Sequence, residues 1–250
     1  MKERDKLNST ENYQEIIDRQ EKYISENLED IKNLYENEAK GVQLYNRPNL
    51  EAIGYNLDDI LKYKYDNFIA NYSLGKYVKE LTSEYESIVS CMEKRWKKSN
   101  GYIQMVWILS IGIMLEIEDA TFEKIVRLVE NDNPNDYLID FLILHRIPSW
   151  KRESDTFFSK RPYQVTREII SFAQTDKSKS LERLKKYLAK EWYRGHSSAG
   201  WYDAHKSKWN IHTGYWSFES GALVKILGLD DSSMKDVQYY PYDMVHWKNE

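Results

Sequence analysis

The sequence has little cysteine, proline or glycine. Its 250 residues include one cysteine, Cys91, with five prolines and ten glycines. A single cysteine excludes a disulfide framework within one chain and is typical of proteins from a reducing compartment. No low-complexity linker is present, and 41% hydrophobic with 14% aromatic residues is too apolar a composition for a disordered chain. The composition therefore predicts an ordered protein with a sizeable core.

The sequence also lacks a long apolar run. Its longest uncharged stretch, Ser99–Leu115, contains polar residues such as Gln104 and Ser110, whereas a membrane-spanning helix needs about 20 predominantly apolar residues. This stretch predicts a buried core helix. The first residues, MKERDKLNSTENYQ, have no apolar segment of the kind found in secretory signals. We therefore expect a cytoplasmic protein with no membrane partner.

Strand patterns and internal repeats are absent too, and apolar residues recur at helical spacing instead. Ile17, Ile24 and Ile31 follow one another every seven residues, with Leu28 and Tyr35 beside them, which predicts a long first helix with an acidic outer face. Similar stripes continue along the chain. The sequence predicts an all-α fold, a helical bundle of about ten helices with an aromatic-rich C-terminal region.

Two local signals organise the middle of the chain. Asn133 followed by Pro134 is typical of a helix start and predicts a helix over Asn135–Arg146. Residues 147–162, bracketed by prolines and containing three serines, predict an unusually long connecting loop.

Charge is unevenly distributed along the chain, whose formal net charge is −4. Residues 1–40 contain 11 acidic and 7 basic side chains, and residues 101–147 contain 8 and 3. Residues 148–195 contain 6 acidic and 12 basic side chains. Segregated charge produces surface fields that steer partners, although packing can also neutralise such blocks.

One segment concentrates histidine and carboxylate side chains. They are His196, Asp203, His205, His212 and Glu219. Imidazole and carboxylate are ligands of zinc and iron, so a helical metal-dependent enzyme using the His196–Glu219 cluster is one alternative. The spacing matches no known ligand pattern, and hydrogen bonding in a polar-decorated core accounts for the same residues. Serine-hydrolase elbows and phosphate-binding glycine loops are missing as well. We predict no enzyme activity, metal or cofactor.

The basic block from Trp150 to Arg194 interleaves lysine and arginine with aromatic residues, a pattern that also suits single-stranded nucleic acid. A nucleic-acid-binding regulatory protein is thus a second alternative. Most of these aromatic residues fall at helical core spacing, however, and the chain as a whole is acidic. We predict no direct nucleic-acid partner.

The C-terminal third resembles the PoNi immunity proteins. The matching runs are Gly200–Asp203, His205 with Lys206, Gly214–Glu219, Lys225–Ser233 and Tyr239–Asp243. Upstream, Asn135–Leu138, Asp140–Leu142 and Pro148–Trp150 resemble the same C-terminal domain, and Tyr72–Gly75 with the stripe ending in Trp96 resembles its N-terminal partner domain. The resemblance implies two helical domains, residues 8–115 and 116–250, packed on each other.

The resemblance also implies a function. It implies an immunity protein that binds and neutralises a cognate PoNe-type DNase toxin, a nuclease of the PD-(D/E)xK superfamily used in interbacterial competition. Neutralisation would be by stoichiometric protein–protein binding in the cytoplasm, where the DNA is. Whether the unbound protein is a homodimer stays open.

The family-matching residues are expected to be structural, and the large, mostly apolar ones among them, Trp201, Trp216, Phe218, Tyr240 and Tyr242, are expected in a shared core. They are Trp201, Tyr202, His205, Tyr215, Trp216, Phe218, Glu219, Asp230, Asp231, Tyr240, Pro241 and Tyr242.

Toxin binding is expected at acidic side chains instead, since a DNase presents a basic surface along which phosphates track. The candidates are Glu116, Glu118, Asp119, Glu123 and Glu130 in one set and Glu15, Asp18, Glu26 and Glu29, with Glu36, on the outer face of the first helix in the other. We expect the set around Asp119 and Glu123 to be the main site, because it opens a helix next to a buried one.

Overall fold

The structure is a computed structural model that describes residues 3–249, without the side chains of residues 100 and 249. The model is 67% helical and its described residues contain no strand, which confirms the all-α prediction. The α-helices are α1 (Thr10–Glu38), α2 (Asn49–Leu74), α3 (Thr82–Arg95), α4 (Lys98–Met114), α5 (Asp119–Asp132), α6 (Tyr137–Arg146), α7 (Thr166–Ala173), α8 (Lys177–Lys186), α9 (Tyr193–Gly195), α10 (Phe218–Leu227) and α11 (Tyr242–Val245).

Shorter helical segments connect several of these elements. A π-helical segment, Tyr187–Trp192, joins α8 to α9, and 3-10 turns cover Val78–Leu81, Tyr163–Val165, Ala204–Lys206, Ser232–Met234 and Trp247–Asn249. In the part of the chain that the structure describes, no helix has both the length and the apolar character needed to cross a bilayer.

The described residues divide into two compact units. The N-terminal unit contains the described part of Met1–Trp96 together with Ala204–Gly214, and the C-terminal unit contains Lys97–Asp203 with the described part of Tyr215–Glu250. The division into helical domains 8–115 and 116–250 stays a prediction.

The N-terminal unit is built on an antiparallel pair of long helices, α1 and α2. Near the start of α1, Tyr13 and Ile17 cluster with Leu74 at the end of α2, and farther along Leu34 clusters with Ile53. The α1 side chains that face α2 alternate in spacing between four and three, the pattern of long paired helices. The N-cap is Ser9, whose hydroxyl accepts a hydrogen bond from the Asn12 amide at 3.2 Å.

The apolar stripe of α1 differs from the predicted one at two positions. Leu28 and Tyr35 are each 54% exposed, so the prediction that they share the buried stripe with Ile17 was wrong. Successive residues of a helix lie about 100° apart around its axis, so Leu28 and Tyr35, each one position beyond a residue of the contacting stripe, point away from α2. By the last turns, Leu34 faces α2 and Tyr35 points to solvent.

The C-terminal unit is built around α4. The apolar stretch predicted to be a core helix is buried as expected, and Met105, Val106, Ile108 and Leu109 have no exposed surface. The helix begins at Lys98 and ends at Met114, close to the bounds of the predicted stretch Ser99–Leu115, with an irregular residue at Gly101. The elements that pack on α4 are α5, α6, α10 and α11.

The start of α6 was predicted wrongly. Asn133 and Asn135 both adopt left-handed backbone conformations, with φ of 34° and 50°, so neither caps nor begins the helix. Asp136 is the N-cap, and its carboxylate accepts a hydrogen bond from the Ile139 amide at 2.9 Å. The same carboxylate accepts a hydrogen bond from the Phe158 amide at 2.8 Å and so holds the loop 147–162, which contains no helix.

Candidate protein-binding surfaces

Aromatic side chains fill the C-terminal unit near its family-resembling residues. Trp192 stacks on Trp201 with ring centroids 5.8 Å apart, and Trp201 contacts Tyr215 at 5.5 Å. Trp107 meets Phe218 edge to face at 5.9 Å. Tyr215, Trp216, Phe218, Tyr240 and Pro241 are buried, and Trp201, Tyr202 and Tyr242 are partly buried. These positions support the proposal that the family-resembling aromatic residues stabilise the fold.

Glu219 and His196 are the buried titratable groups of this core. Glu219 has no exposed surface and accepts hydrogen bonds from the Tyr187 hydroxyl at 2.9 Å and the Ser217 hydroxyl at 2.7 Å, and its burial raises the carboxyl pKa. His196 lies 2.9 Å from the Tyr163 hydroxyl and 2.8 Å from the Trp192 carbonyl. Burial lowers the His196 pKa to about 4, so the ring is neutral at neutral pH.

The remaining members of the His196–Glu219 segment have other partners. Asp203 accepts a hydrogen bond from the Tyr193 hydroxyl at 2.7 Å. His205 and His212 belong to the N-terminal unit, where His212 Nε2 lies 2.7 Å from a carboxylate oxygen of Asp5. Among residues 3–249, no group of three histidine, cysteine or acidic side chains is arranged to hold a metal ion. His196, Asp203, His212 and Glu219 thus each have separate hydrogen-bond partners.

Two family-resembling aspartates lie in the turn after α10. Asp231 is buried and accepts a hydrogen bond from the Tyr240 hydroxyl at 2.6 Å, and the His246 ring lies 2.9 Å away. Asp230 is exposed, and hydrogen bonds from the Ser232 hydroxyl and from the Ser232 amide lower the pKa of its carboxyl. Through these hydrogen bonds, both side chains stabilise the turn that precedes the 3-10 segment at Ser232–Met234.

The acidic residues around α5 are partly neutralised within the C-terminal unit. Glu116, which has a left-handed backbone, pairs with Lys225 at 2.8 Å and with Lys248. These two lysines lower the Glu116 pKa to about 2. Asp119 pairs with Arg146 at the end of α6. Both carboxylates therefore have internal cationic partners, which lowers their capacity to attract an external one.

The other three members of this set are exposed, and two of them, Glu123 and Glu130, have basic neighbours. Glu123 lies 4.0 Å from Arg127, and Glu123 and Glu130 line a shallow cavity of about 470 Å³. Arg127, Lys151 and Arg152 line the same cavity. Glu118 is exposed next to Asp119. The surface around α5 thus has mixed charge.

The acidic residues of α1 form a more uniform surface. Glu15, Asp18, Glu26, Glu29 and Glu36 are all exposed, and we refer to them as the α1 acidic face. At 3.6 residues per turn they lie within an arc of about 80° and extend over about 30 Å, opposite the side that packs on α2. Glu15 pairs with Arg19 at 3.2 Å and Glu26 with Lys22 at 3.7 Å. Such exposed pairs within one helix are weak.

Three residues of this face have no cationic partner. Within the described chain, no basic side chain forms an ion pair with Asp18, Glu29 or Glu36. The helix itself contains nine acidic and three basic residues between Thr10 and Glu38. Of the two predicted acidic surfaces, the α1 acidic face therefore has the stronger capacity to attract a basic partner.

One exposed segment was not predicted from the sequence. Ala204–Gly214 belongs to the N-terminal unit, although it follows the C-terminal unit's helices along the chain. Its Trp209 is 67% exposed, the highest exposure among the large hydrophobic residues of the described chain. The signal in the sequence was the placement of this tryptophan between Lys208 and Asn210, away from any helical apolar stripe.

Comparisons with known proteins cover most of the chain. Residues 4–127 match the family described as PoNe immunity protein (PoNi), N-terminal, and residues 134–244 match PoNe immunity proteins (PoNi), C-terminal. No curated protein matches the chain. Among solved structures, protein PA2201 from Pseudomonas aeruginosa is similar, with a TM-score of 0.59 and 15% identity over 92% of this chain and 87% of that one. At this identity the likeness shows the fold alone.

Proposed function

The chain belongs to the PoNe immunity protein (PoNi) family, and on this basis we propose that it binds and neutralises a cognate PoNe-type DNase toxin of the PD-(D/E)xK superfamily. The observation that carries the proposal is the match of both family domains along the chain. Neutralisation protects the producing cell and its kin in the cytoplasm, where the toxin meets DNA. The partner is the toxin itself, and the chain makes no direct contact with nucleic acid.

The proposed mode of action is stoichiometric binding without chemical modification of the toxin. Support comes from the buried titratable groups of the C-terminal unit. Glu219 and His196 are buried among aromatic side chains and hydrogen-bonded to neighbouring hydroxyl and carbonyl groups. Buried polar groups stabilise a fold when their hydrogen-bonding capacity is met by neighbouring residues. Neither side chain is exposed to a substrate.

The proposed binding surface is the α1 acidic face. A nuclease surface that follows phosphates is basic, and a row of carboxylates attracts it through complementary charge. The α1 acidic face supplies Asp18, Glu29 and Glu36 without cationic partners, whereas Glu116 and Asp119 of the other predicted set are paired with lysine and arginine. Complementary charge would bring the chain to the surface that the toxin uses for DNA.

A titration tests the mode of action. The nuclease domain of the toxin encoded with this chain is mixed with increasing amounts of the purified chain, and cleavage of plasmid DNA is measured. We expect inhibition to end near equivalence, with the mass of the recovered nuclease unchanged. An unrelated nuclease serves as the control and should stay active. Loss of nuclease activity at substoichiometric amounts, with a cleaved or covalently altered toxin, contradicts the proposal.

A further inference from the structure

The segment Ala204–Gly214 is fastened to the start of α1 by one asparagine. The Asn210 side chain donates hydrogen bonds to the Asn12 carbonyl and to the Glu15 carboxylate, each at 2.9 Å. Asn8 donates to the Asn210 side-chain oxygen at 3.2 Å, and the Arg19 guanidinium donates to the Asn210 carbonyl. The backbone at residue 210 is therefore held directly beside Glu15, a member of the α1 acidic face.

A second group of contacts holds the segment after residue 210. His212 is buried against Asp5, and Asn8 donates a hydrogen bond to the His212 carbonyl at 3.1 Å. The Ser73 hydroxyl donates to the Thr213 carbonyl at 2.7 Å. With hydrogen bonds at residues 210, 212 and 213, the segment is a braced loop with little freedom left to lose on binding.

The braced loop presents apolar side chains to solvent. Trp209 is 67% exposed and Ile211 is 50% exposed, although each neighbours a residue whose hydrogen bonds fix the backbone. The Lys208 ammonium lies 5.0 Å from the centre of a Trp209 ring, which leaves most of the indole surface open. An exposed tryptophan on a rigid backbone is a typical anchor of a protein–protein interface.

We propose that Trp209 is the anchor residue of the toxin interface, with Ile211 beside it and the start of the α1 acidic face as its charged rim. This inference rests on the proposed function and deepens it. The fitting partner is a nuclease domain with an apolar pocket next to a basic patch, because Asn210, which follows Trp209 along the chain, donates a hydrogen bond to the Glu15 carboxylate and so holds Trp209 near the start of the α1 acidic face. Burial of the indole supplies affinity, and the carboxylates supply attraction.

The two parts of this interface have different kinetic signatures. Complementary charges chiefly raise the association rate and act less at high salt, whereas a buried aromatic anchor chiefly slows dissociation. Replacing Trp209 should therefore speed dissociation at both low and high salt. Replacing acidic residues of α1 should slow association at low salt only.

The test measures binding of the full-length chain to the purified nuclease domain of its toxin, with one catalytic carboxylate of the nuclease replaced. We compare wild type, Trp209→Ala and Tyr55→Ala by surface plasmon resonance. Tyr55 is 51% exposed on α2, in the half of the helix that packs near Leu34, so it controls for loss of an exposed aromatic ring. We expect Trp209→Ala to raise Kd by about 30-fold or more, mainly through the dissociation rate, and Tyr55→Ala to change it less than about twofold.

Several outcomes overturn the inference in distinguishable ways. If the wild type binds and Trp209→Ala binds equally well, Trp209 is not the anchor residue, and the proposed function stays intact. Lack of binding by the wild type contradicts the proposed function and this inference together. If Trp209→Ala changes only the sedimentation of the chain alone, the surface mediates self-association and the inference is wrong.

Hydrogen exchange gives a measurement that does not depend on a variant. In the wild-type chain, adding the nuclease domain should slow amide exchange in the peptide that contains Trp209. Unchanged exchange in this peptide, with the complex formed, overturns the inference even if Trp209→Ala folds poorly.

Discussion

His196 and Glu219 have pKa values that burial shifts in opposite directions, and each shift favours the neutral form. A neutral His196 fits its contacts, because one ring nitrogen can donate to the Trp192 carbonyl while the other accepts from the Tyr163 hydroxyl. The stability of the aromatic core thus depends on the protonation state of its buried polar residues as well as on packing.

The His196 environment predicts a loss of stability in acid. Its pKa falls from 6.5 to about 4 on folding, so its stabilising contribution is complete above pH 6.5 and is lost as the pH falls towards 4. Glutamine at this position does not titrate. Between pH 7 and pH 4 we expect the unfolding free energy of the wild type to fall by about 3 kcal/mol more than that of His196→Gln. Urea denaturation across this range measures the difference, and parallel curves for the two proteins contradict it.

At the scale of elements, the paired helices α1 and α2 show which features of a helix periodicity predicts. The seven-residue recurrence of Ile17, Ile24 and Ile31 predicted a long helix with one buried side, and the structure has α1 over Thr10–Glu38.

The end of α2 depends on the backbone conformation of Gly75. Gly75 has a φ of 99°, and its amide donates to carbonyls at the end of the helix. This conformation penalises any residue with a Cβ atom.

Gly75→Ala should therefore destabilise the N-terminal unit. We expect a loss of about 1 to 2 kcal/mol in unfolding free energy, the cost of a left-handed conformation for a residue with a Cβ atom. Gly200→Ala is the matched control, because the φ of Gly200 is not positive and an added Cβ meets no atom within 4 Å. Chemical denaturation should show a change below about 0.5 kcal/mol for the control. Equal effects of the two substitutions contradict the role of Gly75 in ending α2.

For the whole molecule, charge is better described by its surfaces than by the net value of −4. Ion pairs and basic neighbours offset much of the acidic charge around α5, as at Glu116 and Asp119. The α1 acidic face retains unpaired carboxylates on one side of a long helix. Long-range attraction between proteins depends on such uncompensated charge and weakens as salt rises.

A comparison of two triple variants tests which acidic surface meets the toxin. One variant converts Asp18, Glu29 and Glu36 to lysine, and the other converts Glu118, Glu123 and Glu130. We expect the first to slow association with the nuclease domain by about tenfold or more at low salt and to reduce its salt dependence. The second should have the smaller effect. Stopped-flow measurements give the rates, with folding checked by circular dichroism. The opposite ranking identifies the surface around α5 as the binding site.

Local features of the sequence determined the all-α fold, the buried helix α4, the long loop 147–162 and the resemblance to PoNi proteins. Helical periodicity and family-specific runs are carried by residues close together along the chain, so they can be read without coordinates. Both acidic surfaces are also visible as local clusters of acidic residues. The cap of α6 was misplaced, because Asp136 and the asparagines before it compete for the same role and local propensity does not rank them.

Only the tertiary structure decided which of those acidic side chains are paired. Glu116 meets Lys225 and Lys248, more than 100 residues away along the chain, and no periodic pattern predicts such contacts. The placement of Ala204–Gly214 was decided in the same way, through hydrogen bonds from Asn210 to residues near the start of α1. Sequence periodicity shows which side of a helix is apolar, but the partner of a charge and the exposure of Trp209 depend on distant segments that meet only in the folded chain.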